Sequence, residues 1–293
     1  MEKVKLRERL IKSKPQLSES SLRTYISLLN SFFVKNGNDD IDILKWFDSN
    51  EKFILNAVEK LNISSRKTFL SAYFVLSQHT QTHQNMIEDA RTVNQSYKEN
   101  KKSAKQEANW LTVEEIKKCY AILCQAQEKI LKQKYISKDE LLQVRDYVLL
   151  SLYILHPPRR SMDYTQMMIN NIDLNKNYIK KGQFVFNKYK TAKSYGQETL
   201  PVELNFLKFL NKFWIKKLNK YDYLLFDDKL QPMTSSTVTK TLNRIFGKRA
   251  SVNALRHSYV SDKLKDVPNV DKLEKMAKDL GHSVSTMLEY KKN

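Results

Sequence analysis

Residues Leu141–Leu155 are apolar on nearly every side, and Pro157-Pro158-Arg159-Arg160 follows almost at once. A helix that is apolar all round must be covered all round, so this segment predicts the central helix of a domain. Ser137-Lys-Asp-Glu140 ahead of it is a capping box, which satisfies the first amides of a helix with its own side chains. Proline lacks the amide proton and restrains the residue before it, so the helix has to stop where the two prolines stand. Arg159, Arg160 and Asp163 are thereby set at the end of the most apolar helix in the chain. Arginine in such a place is rare unless it is paired or meets an anion such as phosphate.

Elsewhere the apolar positions recur mostly at three- and four-residue spacing, and 293 residues contain only five glycines and six prolines, which predicts a largely helical chain. The length allows two domains, each with its own core. After a charged segment at 1–14, Ser18 precedes a one-face helix pattern (Leu22, Tyr25, Ile26, Leu29, Phe32, Phe33) that stops at Gly37. Ile41–Phe47, Phe53–Leu61 and a helix from Ser64/Ser65 complete an all-α domain of about four helices over residues 1–95. From Asp89 to Ala108 the apolar spacing fails, and Lys98, Lys101, Lys102 and Lys105 stand among polar residues; residues 96–109 read as a basic linker. A second domain fills 110–293, and Thr112-Val-Glu-Glu115 caps its first helix. Its one β region is Tyr178–Val202, three short strands with Lys188, Lys190 and Lys193 in the second connection. Helices resume at Leu204–Leu218 and Thr234–Phe246, the latter ending at Gly247 with Lys248 and Arg249.

The formal net charge is +19, with 18 Lys+Arg against 13 Asp+Glu in residues 1–108 and 33 against 19 in the rest. Such an excess calls for a polyanionic partner, nucleic acid before an acidic membrane surface. Cys119 and Cys124 form neither a disulfide framework nor a metal-ligand set, which fits a reducing, intracellular setting. The longest apolar run, Tyr147–Leu155, is too short to span a bilayer, and the charged N-terminus is no secretion signal, so a soluble, non-secreted protein is expected.

The last forty residues carry a second unusual pattern. Ser251–Ser261 reads SVNALRHSYVS, with Arg256-His257 inside an apolar periodicity, and Leu280-Gly281-His282 is followed eight residues after the histidine by Tyr290. PPRR-x-x-D, a Lys-rich hairpin, LRH and LGH with a terminal tyrosine, in that order, resemble the tyrosine recombinase or phage integrase family. PPRRSMDY is close to the form found in recombinases of eukaryotic large DNA viruses and related mobile elements.

The resemblance implies a helical core-binding domain ahead of a mixed α/β catalytic domain whose small antiparallel sheet presents a lysine to DNA. It implies Arg160, Lys190, Asn253, Arg256, His282 and Tyr290 as catalytic residues, with Asp163 orienting Arg160. Arg159 is the alternative to Arg160, and Lys193 to Lys190. Lys98, Lys101, Lys102, Lys105, Lys188, Lys193 and Arg249 are the expected DNA contacts. Two guanidiniums suit the non-bridging oxygens of a phosphate. His282 would add a donor, Lys190 would protonate the leaving 5′-oxygen, and Tyr290 would hold the DNA as a 3′-phosphotyrosine.

No metal or other cofactor is called for. Duplex DNA clamped between two domains, and self-association into a tetramer on two sites, are the expected partners. Asn253 stands where the family most often has histidine, and it cannot shuttle a proton. Only three residues follow Tyr290, so either the sequence is cut short or contacts between protomers are expected elsewhere, residues 1–20 among the candidates. Type IB topoisomerase chemistry, and a recombinase-derived DNA-binding protein without catalysis, are the other readings.

Overall fold

The computed structural model describes residues 2–38, 40–98, 101–265 and 270–292, with the side chains of 96–98 and 270 also outside the description. The chain divides into two compact units, Met1–Glu99 and Asn100–Asn293.

The first unit is helical. It comprises α1 (Glu2–Ser13), α2 (Glu19–Asn36), α3 (Ile43–Ser49), α4 (Glu51–Val58), α5 (Ile63–Ser77) and α6 (Thr80–Lys98). Ser18, Asp42 and Asn62 accept amide hydrogen bonds at the starts of α2, α3 and α5, as N-cap side chains do. The core is aromatic: Phe33, Trp46, Phe47, Phe69 and Tyr73 interlock, and the Tyr73 hydroxyl donates to the Phe47 carbonyl at 2.8 Å. The charged segment at the N-terminus is a packed helix, with Leu6 and Leu10 fully buried. Three of its cations are tied to acids within this unit, Lys5 to Asp42, Arg7 to Glu19 and Arg9 to Asp48.

Helix α6 runs through Asp89 to Lys98, so the first part of the stretch in which apolar spacing fails is helical. The helix persists because one face is anchored by an ion pair, Arg66 Nε donating to Asp89 at 2.8 Å, and by the buried Val93. A further short helix, α7 (Ala104–Ala108), is opened by a Ser103–Gln106 capping box.

The second unit continues with α8 (Val113–Leu131) and α9 (Lys138–Ile154), both opened by the capping boxes read from the sequence. Helix α9 is buried on every side from Val144 to Tyr153. The chain then passes through Pro157-Pro158 into α10 (Ser161–Thr165). Three antiparallel strands follow in the order β1 (Tyr178–Lys180), β2 (Gln183–Phe186), β3 (Glu198–Pro201), with Phe186 opposite Glu198. The β2–β3 connection holds a single helical turn, α11 (Ala192–Tyr195).

Helices α12 (Leu204–Phe209) and α13 (Ile215–Lys217) are joined by a π-helical turn at Leu210–Trp214. Then come α14 (Ser235–Phe246), α15 (Val252–Lys263), α16 (Val270–Asp279) and α17 (Val284–Leu288). The sheet and α8–α15 share one core; Val260, Leu264, Ala277, Leu280 and Met287 form a smaller one that seats the C-terminal helices on α15. The architecture is mainly α with a small antiparallel sheet, as expected. No helix among the described residues is long and apolar enough to cross a membrane.

Candidate active site

The turn Leu280-Gly281-His282 is where the distant sequence motifs meet. Gly281 takes φ +68°, a left-handed conformation natural to glycine, and ends α16. Arg256, fully buried on α15, donates from Nη1 to the Pro158 carbonyl at 2.8 Å and from Nη2 to the Leu280 carbonyl at 3.3 Å. Arg160 reaches the same turn from the start of α10. Its Nη1 lies 3.4 Å from the Gly281 carbonyl and its Nη2 3.0 Å from His282 Nδ1. Thr191, beside Lys190, donates to the Gly281 carbonyl at 3.2 Å.

The two arginines thus converge on one turn, and their tautomeric consequence is defined. A guanidinium only donates, so His282 Nδ1 accepts and its proton sits on Nε2. That Nε2–H is buried and has no partner among the described residues. Burial, and then the charges of Arg256, Arg160, Arg159 and Lys190, push the His282 pKa down to about 2. A neutral imidazole donor is therefore held among four cations. Lys190, in the β2–β3 connection, is among the cations whose charge acts on His282. Lys188 and Lys193 are exposed nearby in the chain.

Tyr290 follows α17 and returns to this place. The Arg256 guanidinium carbon lies 4.7 Å from the centre of its ring, and the rings of His257 and His282 lie 5.0 and 5.4 Å away. His257 Nδ1 is 2.9 Å from the Tyr290 carbonyl. Burial pulls the Arg256 pKa below its ordinary value, an effect the neighbouring Tyr290 offsets in part.

The assignment of Asp163 to Arg160 is corrected. Asp163 accepts from Nε of Arg159 at 3.0 Å, and Nη1 of Arg159 also donates to Glu198 at 2.7 Å. The Arg159 guanidinium carbon lies 4.1 Å over the ring of Phe186. The extended backbone at Arg160 (φ −66°, ψ 152°) separates the two adjacent arginines. Arg159 goes into the buried pair of acids and Arg160 to the turn. Arg159 is a structural cation, neutralised in place, whereas the groups that meet Arg160 at the turn are a carbonyl and an imidazole.

Glu198 was not foreseen. Its signal was present: on a strand with period two, Glu198 is in phase with Leu200 and so points into the core.

Asn253 is exposed near the start of α15, one helical turn before Arg256. It lines a depression of about 470 Å³ together with Lys105, Asn109, Arg249 and His257, so one expected catalytic residue and two expected DNA contacts share one recess. Lys101 and Lys102 precede α7, with Lys102 Nζ 4.7 Å from the centre of the Trp110 ring. The side chain of Lys98 lies outside the described residues. Among the described residues no cluster of three or more His, Cys, Asp or Glu is arranged to hold a metal.

No protein-family model matches the chain, and no curated protein matches it either. Solved structures do resemble it. A lambda integrase dimer bound to a COC′ core site superimposes with a TM-score of 0.54 at 14% identity, over 97% of this chain and 75% of that one. The lambda integrase(75–356) dimer on the same site gives 0.52 at 13% identity, over 97% and 92%. A lambda integrase tetramer bound to a Holliday junction gives 0.52 at 13%, over 97% and 75%. At such identity the likeness is one of fold.

Proposed function

We propose that the chain is a metal-independent DNA strand transferase, a tyrosine recombinase or integrase. The observation that carries this reading is the convergence of Arg160, Arg256 and the unpartnered Nε2–H of His282 on one turn, with the Tyr290 ring against Arg256. Uncompensated cations around a neutral donor form a site for an anion, and a phosphodiester meets those donors best.

In the proposed step the Tyr290 oxygen attacks phosphorus as the bond to the 5′-oxygen breaks, leaving a 3′-phosphotyrosine. Arg160, Arg256 and His282 hold the non-bridging oxygens while negative charge builds there. Lys190 gives its proton to the departing 5′-oxygen. The phenolic proton leaves to water, since Nδ1 of His282 is occupied by Arg160 and the Asn253 amide is no base. Both units contact the duplex. Lys101, Lys102, Lys105, Lys188, Lys193 and Arg249 neutralise its backbone, and assembly is a tetramer on two sites. The protein acts inside the cell, on behalf of a virus or mobile element.

Incubation with nicked duplexes in EDTA, followed by denaturing electrophoresis, is the test. A covalent adduct that is lost in Tyr290→Phe, while duplex binding survives, is expected. Adduct from the Phe variant, or none from the wild type, overturns the reading. Binding should weaken steeply with salt as counterions are released.

A further inference from the structure

We propose that His257 is a positioning residue that couples α7, and the lysines just before it, to the Tyr290 segment, an inference that rests on Tyr290 being the nucleophile only in its kinetic arm. A backbone carbonyl only accepts, so the 2.9 Å contact of His257 Nδ1 with the Tyr290 carbonyl requires the proton on Nδ1. Nε2 is then a lone pair. Facing it at 3.5 Å is Nε2 of Gln106, whose Oε1 accepts from the Ser103 amide at 2.9 Å in the α7 capping box. That box fixes which way the Gln106 amide points, and every hydrogen bond in the line runs in one direction. It starts at the Ser103 amide, passes through Gln106 and His257, and ends on the Tyr290 carbonyl.

The placement gives the line a purpose beyond packing. The linker end of the line carries exposed Lys105, and Lys101 and Lys102 just before it. The other end holds the backbone of Tyr290, which a second bond, from the Lys292 amide to Ser261 Oγ at 2.8 Å, also fastens to α15. His257 follows Arg256 directly, so the residue that contacts the tyrosine ring and the one that holds its backbone are neighbours. Polyanion bound along 101–105 orders α7, and through Gln106 and His257 it fixes the tyrosine against Arg256. The tyrosine is thus set in place when the linker is occupied.

Two readouts on the full chain separate this inference from the catalytic reading. The first is amide hydrogen exchange over 284–292, with and without a duplex. In the wild type the duplex should slow exchange there. In His257→Phe, which keeps a ring without either hydrogen bond, and in Gln106→Met, that protection should be lost by about tenfold while the amides of α9 stay unchanged, as expected of local opening. His257→Asn, which keeps a donor at the Nδ1 position but no group at Nε2, should retain slow exchange without the duplex and lose the further slowing that the duplex brings.

The second readout is the single-turnover rate of adduct formation. It should fall on the order of 10–100-fold in the Phe and Met variants, with duplex affinity within about threefold of wild type, because small misplacements cost rate rather than binding. The double variant should be no slower than either single one. Tail exchange that is unaltered in both single variants overturns the coupling, whatever the chemistry. Absence of adduct in the wild type with the expected exchange pattern overturns the nucleophile assignment and leaves the coupling standing.

Discussion

Nη2 of Arg160 lies 3.0 Å from Nδ1 of His282, and this one contact decides what the histidine can do. With Nδ1 committed to a guanidinium, the ring presents only its buried Nε2–H. It serves as a neutral donor and not as a base. His282→Gln, which can place an amide donor near the same point, should keep single-turnover cleavage within about tenfold of wild type. His282→Leu should lose about 10²–10³-fold, the usual effect of removing one donor from a developing oxyanion. Equal rates for the two variants would show that the donor has no part in the step.

Arg159 and Arg160 should separate stability from activity. Arg159→Met leaves Asp163 and Glu198 buried without their cation, which should cost about 3–5 kcal/mol in urea unfolding. Arg160→Met removes a half-buried side chain with no carboxylate partner among the described residues. It should change stability by less than about 1 kcal/mol and slow cleavage by about 10²-fold or more. The opposite assignment, with Arg160 the structural cation, predicts the reverse pair of results.

The helices, their caps and the three strands were legible because each depends on neighbours a few residues away. Thr112/Glu115 and Ser137/Glu140 are capped by their own side chains, and Leu141–Leu155 announces its burial by composition. The turn at Gly281 brings the Arg160, Arg256, His282 and Tyr290 motifs together in space. The owner of Asp163 was not legible. Spacing favours Arg160, but the choice is made by Glu198 and Phe186, which become neighbours of Arg159 only once the sheet has folded. That α6 runs on through Asp89–Lys98 could not be read from its own spacing, because its anchor, Arg66, lies on another helix.

Gly281→Ala tests how closely the turn is built. Its backbone lies at φ +68°, and a methyl group there would stand 2.9 Å from Nη2 of Arg159. The left-handed conformation alone costs an L-residue about 1–2 kcal/mol. A loss of about 2 kcal/mol in stability is expected. Adduct formation should fall as well, since the Gly281 carbonyl is shared by Arg160 and Thr191. A variant as stable and active as the wild type would show that the turn tolerates displacement and does not organise the site.

Asn253→His should cost little in stability, within about 0.5 kcal/mol, because the position is exposed and helical. If proton removal from Tyr290 limits the wild type, a titratable ring one helical turn before Arg256 should raise the single-turnover rate by about 10–100-fold, the lower part of the range for general-base catalysis. The gain should appear as pH rises through the histidine range. An unchanged rate at every pH would locate the proton's route elsewhere.

Acid should destabilise the second unit earlier than carboxylate titration alone would. His282 and His156 are pushed down, to about 2 and about 4, in both cases chiefly by burial. Unfolded histidine titrates near 6.5, so below that pH the unfolded chain binds protons that the folded chain refuses, and stability falls as pH drops. The window runs from about 6.5 downward, and each ring should cost on the order of 2 kcal/mol by pH 4.5. Asp163, raised by burial, acts in the opposite sense, gaining stability as pH falls through its folded value, and so blunts the loss only at the acid end. The two histidines differ in one respect. His282 is held down partly by Arg256, Arg160, Arg159 and Lys190, so a bound polyanion should raise its pKa and reduce the acid loss, while His156 has no such cations acting on it. Melting temperatures from pH 7.5 to 4.5, with and without an inert phosphorothioate duplex, should therefore show a smaller pH slope when the duplex is present. His282→Asn should remove that difference and leave the His156 contribution; a duplex effect that persists undiminished in this variant would place the anion away from His282.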